Sequence, residues 1–416
     1  MSPDLRAAAA GTFRASLALL RTRRFGTFWF ATLLSNIGTW AQQVAQPWLL
    51  LSLGASAYLI GLDAFAMSAP VFLLTLVGGV LADRADRRRV ITLFQSTQML
   101  CPILVVALLL AGAVEPWMVI VLSAVIGLTD ALSMPSYQSI APSIVERAQI
   151  PTAIALNSTQ FNLSRILGPA VAGLLMAGVG AAGAYAVSAA SYIPFILVAL
   201  WILPSGAAAP SAAREGRALF AGIGEIAREP ALRGALLTAL ATSAFCAPLV
   251  TFCPVLVKEA LHGGIGQFSA AIGAFGAGGL LGALALLAID PQRDRRPLSS
   301  ALALAYAAVV ALCALAPWTW ALPPLFVLAG AAMTASNASA NALLQSVAPA
   351  RIRGQTVSLF MLAMRGGVAL GGLATGLLVG LLGVREALLL DALAALAAHA
   401  TLRTRWLGAP LPGPTS

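Results

Sequence analysis

Three charged residues set inside long apolar stretches, Asp130, Arg165 and Arg365, have types and placement that suit chemistry. An ionised group at the centre of a bilayer costs about 2.5–3.5 kcal/mol on insertion scales, so such groups line a cavity or find a partner. At about 1.5 Å per helical residue, Asp130 and Arg165 both lie near mid-depth of their apolar runs. They are placed to pair: Asp130 would accept and release a coupling proton while Arg165 tunes its proton affinity, or the two would form a permanent ion pair locking two helices. Arg165 also suits an anionic substrate group, which a guanidinium holds through paired hydrogen bonds. Arg365 has no evident partner at its depth, which points to a cavity position. Asp63, near the outer end of the second apolar run, reads as interfacial, and Asp391 as nearer the outer face. Both are further candidates for carrying the proton.

Amides recur on helical faces. Asn36, Trp40 and Gln43 repeat at spacings of three and four; Asn157, Phe161 and Arg165 make a comparable stripe at four, as do Asn337, Asn341 and Gln345. Lipid penalises exposed amides, so these stripes should face protein or a wet cavity. Asn36, Trp40, Gln43, Asn157, Phe161, Arg165, Asn337, Asn341 and Arg365 are therefore the cavity candidates. A pathway mixing amides, aromatics and two arginines suits an amphipathic or anionic organic solute, although helix-to-helix hydrogen bonding accounts for any single amide equally well.

The elements that must position these residues follow from composition. The 416 residues are 59% hydrophobic and 10% charged, whereas a soluble domain has about 25% charged residues. A span needs about 20 mostly apolar residues, and twelve such runs fit: 25–53, 58–82, 90–111, 117–140, 151–176 and 181–203, then 233–257, 268–289, 298–316, 321–347, 355–382 and 387–402. The expectation is an all-α integral membrane protein with twelve transmembrane helices in two six-helix halves, 25–203 and 233–402. These are flanked by an amino-terminal arm (1–24), a central loop (204–232) and a tail (403–416). With the amino terminus inside, 21 of the 25 Lys and Arg residues fall in cytoplasmic segments, as the positive-inside bias requires. Both termini are thus expected in the cytoplasm. The net charge of +10 is topological in this reading, and no nucleic-acid partner is implied.

The halves repeat. An offset of 207 places Gln138–Pro142 on Gln345–Pro349, Asp83 on Asp290, Arg88 and Arg89 on Arg295 and Arg296, and Asp130 on Asn337; after a gap of four, Gly168 falls on Gly371 and Gly173 on Gly376. Parallel six-helix repeats place a substrate site near the midplane between halves. Only two histidines occur, no nucleotide-binding loop or hydrolase elbow is evident, and the four cysteines show no metal or redox spacing. No enzyme, cofactor or metal is expected. A channel would ordinarily need rings of ligands around a pore from several subunits.

The stretch from Gly79 to Arg89 (GVLADRADRRR) resembles motif A of the major facilitator superfamily, G-x-L-a-D-R-x-G-R-[KR], with Asp86 where the superfamily usually has glycine. That substitution, Ser35–Trp40 and Asn162–Pro169 resemble a branch that includes enterobactin-exporter-like proteins. Gly168, Pro169 and Gly173 resemble motif C, G-P-x-x-G-G, with Ala172 in place of one glycine; motif C is associated with antiporters, and helix bending and packing explain the residues as well. In the resembling family, Gly79, Asp83, Arg84, Arg87 and Arg88 latch the halves together on the cytoplasmic side. The resemblance implies a secondary transporter acting as a monomer in the bacterial cytoplasmic membrane, with lipid, protons and a small-molecule substrate as partners. A proton-coupled exporter of a siderophore or drug-like compound is the expected activity. An importer, a lipid flippase or a non-transporting receptor of the same fold is the alternative.

Overall fold

The computed structural model describes residues 15–138, 140–203, 224–287, 289, 294–349 and 352–407, with side chains at 72, 73, 75–84, 87, 138, 287, 353, 354 and 405 outside the description. The first six helices are α1 (Arg23–Ser52), α2 (Ala57–Arg84), α3 (Arg87–Leu110), α4 (Pro116–Gln138) and the continuous stretch Ile150–Ile202. Gly180 breaks that stretch with φ of 69° into α5 (150–179) and α6 (181–202). The left-handed conformation, which glycine adopts without a Cβ clash, reverses the chain in one residue. The second six are α7 (230–260), α8 (Ile265–Leu287), α9 (Arg296–Leu315), α10 (Leu322–Val347), α11 (Arg353–Leu382) and α12 (Val384–Leu407). No strand occurs among the described residues.

Nine described stretches are long and apolar enough to cross a membrane. One of them, Arg147–Ile202, is two spans once the break at Gly180 is counted, and α1 and α2 complete twelve. Large apolar side chains point outward all round the bundle, Leu110 at 82% exposure and Leu381 at 80% among them. In water such a surface would aggregate; in hydrocarbon it is the required exterior. Trp117, Trp201, Trp318 and Trp320 lie exposed at or near helix ends, where aromatic belts meet the headgroups.

Local chemistry explains several boundaries. Asp86 caps α3, its Oδ1 accepting from the backbone N–H of Arg88 at 2.9 Å and of Arg89 at 3.4 Å. This N-cap satisfies otherwise orphaned donors, and it gives a physical reason for aspartate where the motif usually has glycine. Asp294, one residue before the N-cap of α9, accepts from the N–H of Arg296 at 2.9 Å and pairs with its guanidinium at 3.1 Å. Helix α7 departs from regular geometry through two π-helical turns, Thr242–Cys246 and Leu256–Ala260, with Pro248 and Pro254 between them. The four cysteines are buried thiols within the helices.

The halves meet along two seams, α2 with α11 and α5 with α8. Below, the near face is where α1 begins, and the far face is where α1 ends.

Candidate functional site

At mid-depth an ion pair joins the halves: Arg365 Nη2 of α11 lies 3.3 Å from Asp130 Oδ2 of α4. Neither partner is sealed away, the side chains being 23% and 34% exposed respectively. Groups so accessible within apolar spans line a space between helices. Beside the pair, Arg165 of α5 sets its guanidinium carbon 5.6 Å from the ring centroid of Trp40 on α1. That ring meets Phe161 edge-on at 6.3 Å between centroids. Trp40 rests directly on Gly168, where a Cβ would stand 2.2 Å from the Trp40 Cβ. Glycine thus lets α1 and α5 approach closely enough to hold the indole beneath the arginine. Among the described residues Arg165 makes no hydrogen bond and no ion pair, and it lies within Coulombic reach of Arg365. Two cations and one anion share this site.

The expected pairing is therefore corrected: Asp130 binds Arg365 across the halves, and Arg165 of its own half is left on the tryptophan. Arg365, expected to be partnerless, is the partner. Asp63 is corrected as well, being 5% exposed rather than interfacial. Gln46 Nε2 donates to Asp63 Oδ2 and to Ser123 Oγ, each at 2.6 Å, while Tyr185 OH donates to Gln46 Oε1 at 2.8 Å. Asp391 is buried, accepting from Thr375 Oγ1 at 2.7 Å.

The amide stripes divide. Asn36 and Gln43 are half-buried, as is Asn341, which accepts from Gln345 Nε2 at 3.2 Å. Asn337 is buried, and Asn157 holds a buried Oδ1 without a hydrogen-bond partner. Sequence reasoning missed the neighbouring stripe on α1. Thr39, Gln42 and Gln46 face α6, where Tyr192 meets Thr39 at 2.8 Å, Ser188 donates to Gln42 at 2.7 Å and Tyr185 donates to Gln46. Both sets are spaced three and four, and that shared periodicity was the available signal.

Motif A lies mostly outside the described side chains: Gly79, Asp83, Arg84 and Arg87 are there, and Arg88 is seen through its backbone bond to Asp86. In motif C, Gly168 supports Trp40, buried Pro169 follows within the helix, and Gly173 faces Ser269 O and Gly273 of α8, where a Cβ would stand 2.6 Å from that oxygen.

The far-face part of the interface is closed. A Cβ on Gly61 of α2 would lie 2.4 Å from Gly372 O of α11, and Gly376 packs on Ala57 and Gly61. On the other seam Gly276 of α8 faces Ala170 and Ile166. Trp48 of α1 stacks on Phe268 of α8, centroids 4.9 Å apart and planes 25° apart.

A family model described as transmembrane secretion effector, of the major facilitator superfamily, matches residues 14–408. The chain belongs to that family. Among curated relatives, the multidrug efflux pump Tap of Mycolicibacterium fortuitum is 28% identical over 79% of this chain and 82% of its own length. The enterobactin exporter EntS of Shigella boydii is 30% identical over 55% of this chain and 56% of its own, and the staphyloferrin A transporter of Staphylococcus aureus is 26% identical over 42% and 44%. The chain thus spans about half the length of the two siderophore relatives. Among solved structures, the nucleoside transporter NupG superposes with a TM-score of 0.73 at 13% identity over 92% of this chain and 99% of its own. A bacterial homologue of the lysosomal transporter Spinster does so at 0.69, 16%, 93% and 97%. These likenesses carry the fold: a twelve-helix transporter of the superfamily, integral to a membrane.

Proposed function

We propose that this transporter is a proton-coupled exporter of an anionic, amphipathic organic compound, with the near face in the cytoplasm and both termini there. The observation that carries the reading is the mid-depth cluster, in which Arg365–Asp130 is an ion pair across the halves and Arg165 is a guanidinium with no acid. A substrate anion is drawn to Arg165 and its apolar body to Trp40 and Phe161. As it engages Arg365 too, it competes with Asp130 for that cation, and Asp130 released from its partner is free to exchange a proton. Substrate and the Asp130 carboxylate then alternate on one arginine, which links binding of the anion to proton exchange at Asp130. The siderophore and drug relatives support an anionic or amphipathic cargo, and the positive-inside charge distribution supports the orientation. The exposure of the Asp130–Arg365 pair beneath a closed far face fits a site facing the cytoplasm.

Inside-out vesicles with an acidic interior test this against a panel of siderophores and amphipathic drugs, comparing wild type with Asp130→Asn and Arg165→Gln. Substrate-dependent dissipation of the pH gradient is expected in wild type and lost in Asp130→Asn. Arg165→Gln should raise the half-saturating concentration of anionic compounds about tenfold or more, since a hydrogen bond to a charged group contributes about 1.5–3 kcal/mol. Dissipation that survives Asp130→Asn would overturn the role of Asp130.

A further inference from the structure

Asp63 lies apart from the mid-depth cluster, about 9 Å along α2 from its far-face end, in a chamber formed by α1, α2, α4 and α6. Its carboxyl accepts from the Gln46 amide at Oδ2 and has the Ser123 hydroxyl within hydrogen-bonding reach, while Oδ1 is buried with no hydrogen-bond partner. The polar groups around it also bond one another: Gln46 donates to Ser123, Ser123 donates to Val119 O, and Tyr185 donates to Gln46. Tyr185 of α6 is a titratable group within Coulombic reach of Asp63. From α1 and α4 it is faced by neutral Gln46 and Ser123, and α11 presents Gly372 and Gly376 to the adjacent turn of α2. Among the described residues no cation pairs with it. A buried charge without a partner is strongly unfavourable, whereas a neutral carboxylic acid is tolerated.

Two further features give the chamber a direction. Asp63 stands between Gly61 and Ala64, the α2 residues that meet Gly372 in the far-face seam. Parting that seam would bring outer water to the turn of α2 that carries Asp63, whose carboxyl is turned toward α1 and α4, and closing it would exclude that water again. Toward the midplane the chamber continues into the paired stripes of α1 and α6, from Gln46 and Tyr185 through Gln42 and Ser188 to Thr39 and Tyr192. Tyr192 lies within Coulombic reach of Asp130. The polar strip thus runs from one acid to the other.

We propose that Asp63 is a second proton-binding site, loaded from the outer side while the α2–α11 seam is parted and neutralised before the seam closes over it. In the loading step a proton from outer water adds to Oδ1, converting the carboxylate to a carboxylic acid. On discharge that proton leaves toward the carboxylate of Asp130 and the cytoplasmic side. This rests on the antiport reading given above, with Asp130 as the inner exchange point.

The test is infrared spectroscopy of the full-length protein in nanodiscs across a pH series, with Asp63→Asn, Tyr185→Phe and wild type, paired with vesicle transport. The carbonyl stretch of a protonated carboxylic acid should be present in wild type at neutral pH, lost in Asp63→Asn, and shifted in Tyr185→Phe as the Gln46 amide loses its donor. In vesicles, Asp63→Asn should retain substrate-for-substrate exchange, which moves no net protons and reports a folded carrier, while losing accumulation driven by a pH gradient. A carbonyl band unchanged by Asp63→Asn, or proton-driven accumulation at the wild-type rate in that variant, would overturn the proposal. Loss of exchange together with accumulation would overturn it too, in favour of a structural role. If no compound moves protons through wild type, the antiport reading of Asp130 falls, while the carbonyl band still reads proton binding at Asp63.

Discussion

The far-face part of the interface and its middle are made from opposite materials. Toward the far face the halves touch through Gly61, Gly372, Gly376 and Gly173, with Trp48 flat on Phe268. In the middle they touch through Arg365 and Asp130. Backbone-to-backbone packing is short-ranged, so a small separation forfeits much of its attraction. An ion pair weakens more gradually and answers to charge, so a proton or an anionic solute can redirect it. The difference teaches what each part responds to: the far-face packing is either made or lost, while the pair in the middle answers to charge.

The largest effect should come from spoiling the seal. Gly61→Val places side-chain atoms where Gly372 O already stands, and overpacking of this kind costs about 1–3 kcal/mol. The balance between closed and open far face should shift by roughly 5- to 150-fold, since about 1.4 kcal/mol is tenfold. Spin labels at Tyr58 and Leu381 would read it as a longer distance between α2 and α11, and an unchanged distance would show that the seam is not the seal. Next comes the middle. A thermal-stability double-mutant cycle on Asp130→Asn and Arg365→Gln should return a coupling of about 0.5–3 kcal/mol. Additive effects would mean that the two charges do not hold the halves together. The smallest change is Trp48→Ala. The lost stacking is about 0.5–1.5 kcal/mol beyond area burial, so the same label pair should show a modest gain in the open population, well below that of Gly61→Val.

The fold was legible because hydrocarbon thickness sets the length of every span and excludes irregular backbone. Twelve runs and the 207-residue repeat left little freedom, and the helices begin and end within several residues of the apolar runs. The site was legible in depth and not in azimuth. Asp130 and Arg165 could be placed near the same level by counting residues, whereas Arg365 was given no partner at its depth; which two meet depends on how each helix is rotated and how the halves dock. Neither is written in a single run of sequence. The repeat itself drew attention within each half, whereas the pair that forms crosses between them. Asp63 was misplaced for a related reason: its distance from the end of α2 suggested water, and the group that removes it from water, Gln46, belongs to a different helix. Along α1, Asn36, Trp40 and Gln43 stood out as one polar face, while Thr39, Gln42 and Gln46 formed the face that α6 uses.

The single-residue reversal at Gly180 bears on how the first half moves. Helix α5 carries Arg165 and half of one seam, and α6 carries Tyr185, Ser188 and Tyr192, which grip α1. With one residue between them at the far face, no slack exists to absorb relative travel of the two helices there. Displacement of α5 at the seam is passed directly to α6 and, through three hydrogen-bonded contacts, to the helix bearing Trp40 and Gln46. The hairpin acts as a rigid lever, so the surroundings of Trp40 and of Gln46 are tied to the same part.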